Sequence, residues 1–405
     1  MGIVIGAVTA NLTHRRGAGS GQSRSDTVVV VGMGDLGQRV VDAVARCPIG
    51  RVVAAARDEE RARGVAGQAA LVAAIHDGAG RVEPAHIDLE DRAATATALA
   101  RLEPSVIVLT ASRHTWWRVP EHAAAVPYGA WLPLHVQLTR SVMEARADAG
   151  TCAPVVALPF PDAVGPVLAG AGLAPELGAG NVGEIAAKLE VLAALRHGVE
   201  RTAVDVRLVA HHATERHAFS AFVSLGGTVA GPTGPPPTHA CVRVGGAQLP
   251  ADDVRSLFAA PYALGRGRET HALTAATTAL AVQALLTDTP QRVHVPAPGG
   301  RPGGYPARLS RAGVELDLPE GLTETDARAI NAVAARWDGI EHIAQDGTVT
   351  FTPAVADATE RILGLRLGRL TLDDHDAVAN ELMARLAEPS RLPPARPDPP
   401  PRGGE

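Results

Sequence analysis

Residues 27–44, TVVVVGMGDLGQRVVDAV, decide the fold. Four successive valines ending at a glycine read as a strand covered on both faces, and the residues after Gly37 carry apolar side chains at helical spacing. Between them Gly32, Gly34 and Gly37 stand in G-x-G-x-x-G register. The first glycine permits a tight turn, the second lets backbone approach a diphosphate, and the third allows helix and strand to pack closely, with phosphate charge facing the helix N-terminus.

Working outward, the alternation continues. RVVAAA (51–56) reads as a second buried strand, DEERARGVAGQAALVAAI as a helix, PAHIDLE as a third strand and EDRAATATALARL as a helix. SVIVLTAS is a fourth strand, WLPLHVQLTRSVMEARA a helix and PVVALPF a fifth strand. Strands and helices in strict alternation imply an α/β class with a doubly wound parallel sheet. After about Pro161 the pattern becomes mixed α+β, with a hairpin expected at Asp346-Gly347 and two terminal helices ending near Ala387. The expected organisation is a flexible Gly/Ser-rich leader (1–26), a dinucleotide-binding domain (27–160), a mixed α+β substrate domain (161–388) and a Pro-rich tail (389–405).

Composition narrows the function classes. The net charge of -5 lacks the basic excess that nucleic-acid binding needs, so a small molecule is the expected partner. Three scattered cysteines form no metal or disulfide framework, the short apolar opening MGIVIGAVTA cannot span a bilayer, and a cytoplasmic protein without membrane attachment is expected. A homodimer is compatible with such a chain. Basic residues are arginine throughout except Lys188, the chain's one lysine.

The cofactor-binding set is Gly32, Met33, Gly34, Asp35, Leu36, Gly37, Arg57, Arg61, Thr110 and Ala111. At the end of the second strand the chain reads AAARDEE (54–60), so Ala56 stands where an NAD-binding protein offers a carboxylate to the ribose, and Arg57 follows at once. A missing carboxylate and a bidentate guanidinium favour NADP, with Arg61 one turn on; NAD remains open if Asp58 takes the ribose.

Over roughly residues 27–335 the order of segments resembles the lactate/malate dehydrogenase family. LTASRHTWWRVP (109–120) looks like its mobile active-site loop, so the resemblance implies substrate-binding roles for Arg113 and Arg118; both can equally be exposed loop arginines. PFPDAVGPVLAGAGLAP (159–175) has Pro159 where the family has a contacting Asn. GAGNVGEIAAKLEVLAAL (178–195) resembles the turn and helix that carry its catalytic Asp and carboxylate-binding Arg, here Glu184 and Lys188, or else an i,i+4 surface pair. VDVRLVAHHATERHAF (204–219) comes where the family presents its catalytic histidine: His212 is favoured over His211 because Ala213 then follows it, and strand alternation would let only one of them face the cleft.

The resemblance therefore implies an NADP-dependent oxidoreductase acting on a small anionic 2-oxo or 2-hydroxy acid, with His212 as acid/base and Glu184 orienting it. A saccharopine- or opine-type dehydrogenase and a non-catalytic NADP-binding regulator are the alternatives. No metal is expected, since His211, His212 and His217 lack a carboxylate pattern beside them.

Overall fold

The computed structural model describes residues 26–387 apart from 77, 79, 220–231 and 266. The expected leader, save Asp26, and the Pro-rich tail lie outside the described residues. Valine-rich β1 (Thr27–Val31) leads through the glycine turn into α1 (Asp35–Ala45), then β2 (Arg51–Ala56), α2 (Glu59–Ile75), β3 (Val82–His86), α3 (Arg92–Leu102) and β4 (Val106–Leu109). After an irregular stretch of 3-10 turns come α4 (Pro133–Asp148), β5 (Val155–Ala157), α5 (Pro161–Ala169), β6 (Leu177–Gly178) and α6 (Val182–His197).

The six strands form one parallel sheet in the order β3-β2-β1-β4-β5-β6. Its central strands carry valine, isoleucine and leucine on both faces because helices cover both, and Val28 to Val30 and Val106 to Leu109 are fully buried. The third strand begins and ends earlier than PAHIDLE suggests, because β3 takes its register from β2, Val52 opposite Val82 through Ala56 opposite His86. It is an edge strand, where Pro84 removes no ladder hydrogen bond that a second neighbour would need. The sheet also draws its sixth strand from beyond residue 160.

The rest of the chain is mixed. β7 (Val204–Val209), α7 (Glu215–Ala218), β8 (His239–Val244), β9 (Ala247–Gln248), α8 (Ala251–Ala259) and α9 (His271–Leu285) are followed by β10 (Gln291–Pro296), β11 (Gly304–Ser310), β12 (Gly313–Leu316) and α10 (Glu324–Ala334). The chain then forms β13 (Ile340–Ile343), β14 (Val349–Phe351), α11 (Pro353–Leu363), β15 (Arg369–Leu370) and α12 (Asp374–Ala387). Strands β7 to β15 make three antiparallel three-stranded sheets. The hairpin at Asp346-Gly347 is present, with Gly347 at φ 82° and its amide donating to Ala344 O at 3.0 Å. Helix α9 returns to the parallel sheet: its Ala275, Ala279 and Val282 share a core with Val40, Val41 and Val44 of α1. Among the described residues no helix is long and apolar enough to cross a membrane.

The turn between β1 and α1 is the tightest point. Gly32 has φ 106°, and a Cβ on Gly37 would lie 1.8 Å from Gly32 O and 2.7 Å from the Thr110 hydroxyl. That hydroxyl donates to Gly32 O at 2.6 Å, fastening the turn to the end of β4. Gly37→Ala is therefore expected to force helix and strand apart and cost on the order of 2–3 kcal/mol, read as a lowered midpoint in denaturant unfolding. An unchanged midpoint would show that the turn has slack that the packing denies.

Candidate functional site

Strand order reverses between β1 and β4, and the loops leaving their C-terminal ends open on a cavity of about 560 Å³. One end is lined by Gly34, Asp35, Leu36, Gly37 and Thr110, the other by Tyr128, His135, Phe160, Glu184, His212 and Glu215.

At the glycine end α1 begins without a side-chain cap, whereas Asp58 caps α2 by accepting the Arg61 amide and Asp91 caps α3 by accepting the Ala94 amide. A Cβ on Gly34 would meet nothing within 4 Å. The first-turn amides of α1 are thus left for an anion, and the open backbone at Gly34 admits one closely, which fits a dinucleotide's diphosphate. Asp35 adds a negative charge at this spot. Burial would raise its carboxyl, but bonds from Arg39 and from His271, whose Nδ1 lies 2.9 Å away, hold it below the usual range, so the charge is matched locally.

On the β2 side of the glycine turn Arg61 lines the cavity and its Nε donates to Met33 O at 3.0 Å. Arg57 is exposed and lies 3.7 Å from the equally exposed Glu90, a contact of little energy. Met33 and Ala111 flank the turn: Met33 is buried, and a Cβ on Gly32 would strike the Ala111 backbone.

At the far end the two histidines do not alternate across a strand. β7 stops at Val209, His211 caps a 3-10 turn, and His212 opens it. His212 Nδ1 lies 2.8 Å from Asp338 Oδ2, and its backbone amide donates to Asp162 Oδ1 at 3.0 Å. His211 Nδ1 is 3.4 Å from the same Asp338 oxygen, but it accepts the Ala213 amide at 3.2 Å. A ring nitrogen that accepts cannot also donate to a carboxylate, so the bond to Asp338 belongs to His212. Only His212 of the two lines the cavity, with Nε2 free of Asp338. Burial opposes a charge on this ring, yet the Asp338 carboxylate outweighs it and raises the His212 pKa. Burial likewise opposes the Asp338 charge, and His212 overrides it, holding that carboxyl well below its ordinary value.

Glu184 is not the partner of His212. It lies buried on α6 and accepts from the Thr274 hydroxyl at 2.7 Å, and burial followed by the neighbouring Glu215 raises its pKa well above the usual range. Lys188, one turn on, points away from the cavity: Nζ donates to Ala218 O at 2.6 Å and Phe258 O at 2.8 Å, and burial brings its pKa down to about 8. The two residues do not pair with each other, because each is spent on a tertiary contact. Arg113 donates to Gln137 Oε1 at 2.7 Å and does not line the cavity. Arg118 does line it, its guanidinium 4.8 Å from the Trp117 ring centroid. Pro159 lines it too, and nearby Asn181 has its amide on Asp162.

Sequence reasoning missed Asp338, Asp162, Glu215, Arg216, Tyr128 and His135. Asp162 sits in the first turn of α5, where a carboxylate suits the helix end, and the pair Asp338-Gly339 follows a helix as a stop signal; neither pattern ties those residues to a histidine far along the chain. His135 is buried within α4, and its desolvation lowers its pKa to about 3, so the ring is neutral. No group of three or more metal-ligating side chains occurs among the described residues.

No family model matches the chain, and no curated protein matches it. Solved structures do match in fold. A lactate dehydrogenase from Eimeria maxima, solved with NADH and oxamate, aligns over 78% of this chain and 93% of its own at 13% identity and a TM-score of 0.52. The lactate dehydrogenase of Cryptosporidium parvum, complexed with lactic acid and nicotinamide adenine dinucleotide, aligns over 77% and 98% at 16% identity and 0.52. The malate dehydrogenase of Cryptosporidium parvum aligns over 76% and 95% at 15% identity and 0.51. The chain thus has the fold of the lactate and malate dehydrogenases.

Proposed function

We propose that the chain is an NADP-preferring dehydrogenase or reductase of a small hydroxy or oxo acid, with residues 27–160 seating the dinucleotide and the remainder supplying the reacting groups. The observation that carries this reading is one continuous cavity joining an uncapped glycine-rich helix start to a histidine whose second nitrogen is held by a buried carboxylate. The folds with which it aligns include enzymes solved with NADH or nicotinamide adenine dinucleotide and a small acid.

The dinucleotide, when bound, supplies the hydride acceptor or donor. Gly34 and the first-turn amides of α1 hold its diphosphate. Ala56 presents no carboxylate to the ribose, Asp58 is committed to capping α2, Arg57 follows the end of β2 and Arg61 lies in the first turn of α2, which supports a 2′-phosphate. His212 carries its Nδ1 proton toward Asp338, so Nε2 takes the hydroxyl proton during oxidation and returns it during reduction. Arg118 and Arg216 line the cavity and make no ion pair among the described residues, so their charge is available to a substrate carboxylate.

Calorimetric titration with NADPH and NADH is expected to give tighter NADPH binding, and Arg57→Ala to weaken NADPH about tenfold while sparing NADH, the loss of one charge-assisted contact. Equal or tighter NADH binding would remove the preference. His212→Asn is expected to lower turnover of hydroxy acids by about 100-fold or more with coenzyme affinity retained; full turnover would discard the acid/base assignment.

Asp338→Asn tests the pair directly. His212, with a raised native pKa, contributes stability that is complete below its unfolded value of about 6.5 and lost as pH rises through the native value. Asp338, with a depressed pKa, contributes above its unfolded value of about 3.9 and loses that as pH falls through the native one. The pair is therefore fully effective between about pH 4 and 6.5. The variant should lose on the order of 3 kcal/mol in that window, lose less at higher pH, and show His212 titrating lower by NMR. A uniform loss with an unmoved His212 titration would mean that the carboxylate only fills space.

A further inference from the structure

Four buried carboxylates surround the inner end of the cavity. Asp338 is bonded to His212, Asp162 to the His212 amide and Asn181, and Glu184 to Thr274. The Glu215 carboxylate receives no hydrogen bond among the described residues, although the residue is only 8% exposed and lines the cavity. Its Oε2 stands 4.0 Å from His212 Nε2, beyond hydrogen-bond reach.

Resting on the oxidoreductase reading above, we infer that the substrate carries a cationic amine on the carbon next to the hydroxyl-bearing one, with the ammonium held by Glu215 and the hydroxyl by His212. The gap between the two side chains has the right size. With Nε2 and Oε2 4.0 Å apart, bonds of about 2.8 Å that converge slightly bring a hydroxyl and an ammonium to about 3 Å from one another, the separation of vicinal heteroatoms in a gauche arrangement. A directly bonded Glu215 would leave no room for such a substrate, and a more distant one would call for a longer spacer.

The surroundings suit a cation. Tyr128 and Phe160 meet edge to face at 4.7 Å between centroids, and both pack on the His212 ring, at 4.5 and 5.3 Å. Trp117 and Trp131 also line the cavity, in a chain with only 3% aromatic residues, so a large share of its π faces is placed at this one site. Burial, and then the Asp162 and Asp338 carboxylates, push the Glu215 carboxyl up to about 8, a cost that a bound ammonium would relieve. Arg216, adjacent in sequence and also lining the cavity, remains for a carboxylate. Three groups, an ammonium, a hydroxyl and a carboxylate, thus converge on Glu215, His212 and Arg216. The smallest molecule offering all three in this order is isoserine, which is lactate with an amino group on its methyl carbon.

The test is calorimetric titration of the full chain with isoserine and with lactate, in the presence of NADPH, which leaves the hydroxy acids unconverted, and again without coenzyme. The inference expects isoserine to bind at least about tenfold tighter than lactate, and the ratio to fall toward one in Glu215→Gln and to recover in part in Glu215→Asp, whose carboxylate is retained. Lactate binding as tightly as isoserine, binding of neither, or an unchanged ratio in folded Glu215→Gln would overturn it. If Glu215→Gln does not fold, the wild-type ratio decides alone. Failure of NADPH to bind would remove the oxidoreductase reading, and the ratio without coenzyme would still judge this one.

Discussion

A single carboxylate, Asp338, has no exposure to solvent, and the inner half of the cavity is organised around it. An isolated charge in that position would be costly, and the imidazole of His212 at hydrogen-bond distance, with His211 beside it, makes it tenable. The backbone around it is equally constrained. Gly339 has φ 91° and could bear no side chain without striking Val355, while a Cβ on Gly129 would come within 2.5 Å of the Asp338 carbonyl. The 3-10 turn Tyr128–Trp131 therefore rests directly on the residue that holds His212, and the aromatic wall and the histidine are placed by the same contact.

The outer half depends on a different closure. Thr110 fastens the glycine turn to β4, and α9 lies along α1 so that His271 reaches Asp35. A helix from late in the chain thus completes the first core, and the two regions of the molecule cannot be separated by cutting the sequence at one point. Hydrophobic burial supplies the adhesion here, and the histidine fixes the register with which the alanine-rich face of α9 meets the valines of α1.

What the sequence made legible follows from range. The strand-glycine-helix unit is local: valine runs, turn glycines and helical spacing are all read within 18 residues, and they gave the parallel sheet and the tight glycine turn that opens α1. The hairpin at Asp346-Gly347 is local as well. The partner of His212 is not, because Asp338 lies 126 residues away and nothing in a helix-ending Trp-Asp-Gly signals what it will face. Glu184 drew attention through its spacing in a familiar-looking segment, but helix phase turned it to Thr274. Lys188 stood out by composition, and packing sent it between two carbonyls. In each case the residue type was visible and the tertiary direction of the side chain was not.

That solitary lysine has a consequence for the exterior. With its ammonium buried and shared between Ala218 and Phe258, no lysine is left at the surface, and every strongly basic side chain there is a guanidinium. Guanidinium groups neither titrate in any biological range nor react with acylating agents. The outside of the molecule is thus closed to the acetylation, ubiquitin attachment and amine cross-linking that remodel lysine-rich proteins at side chains.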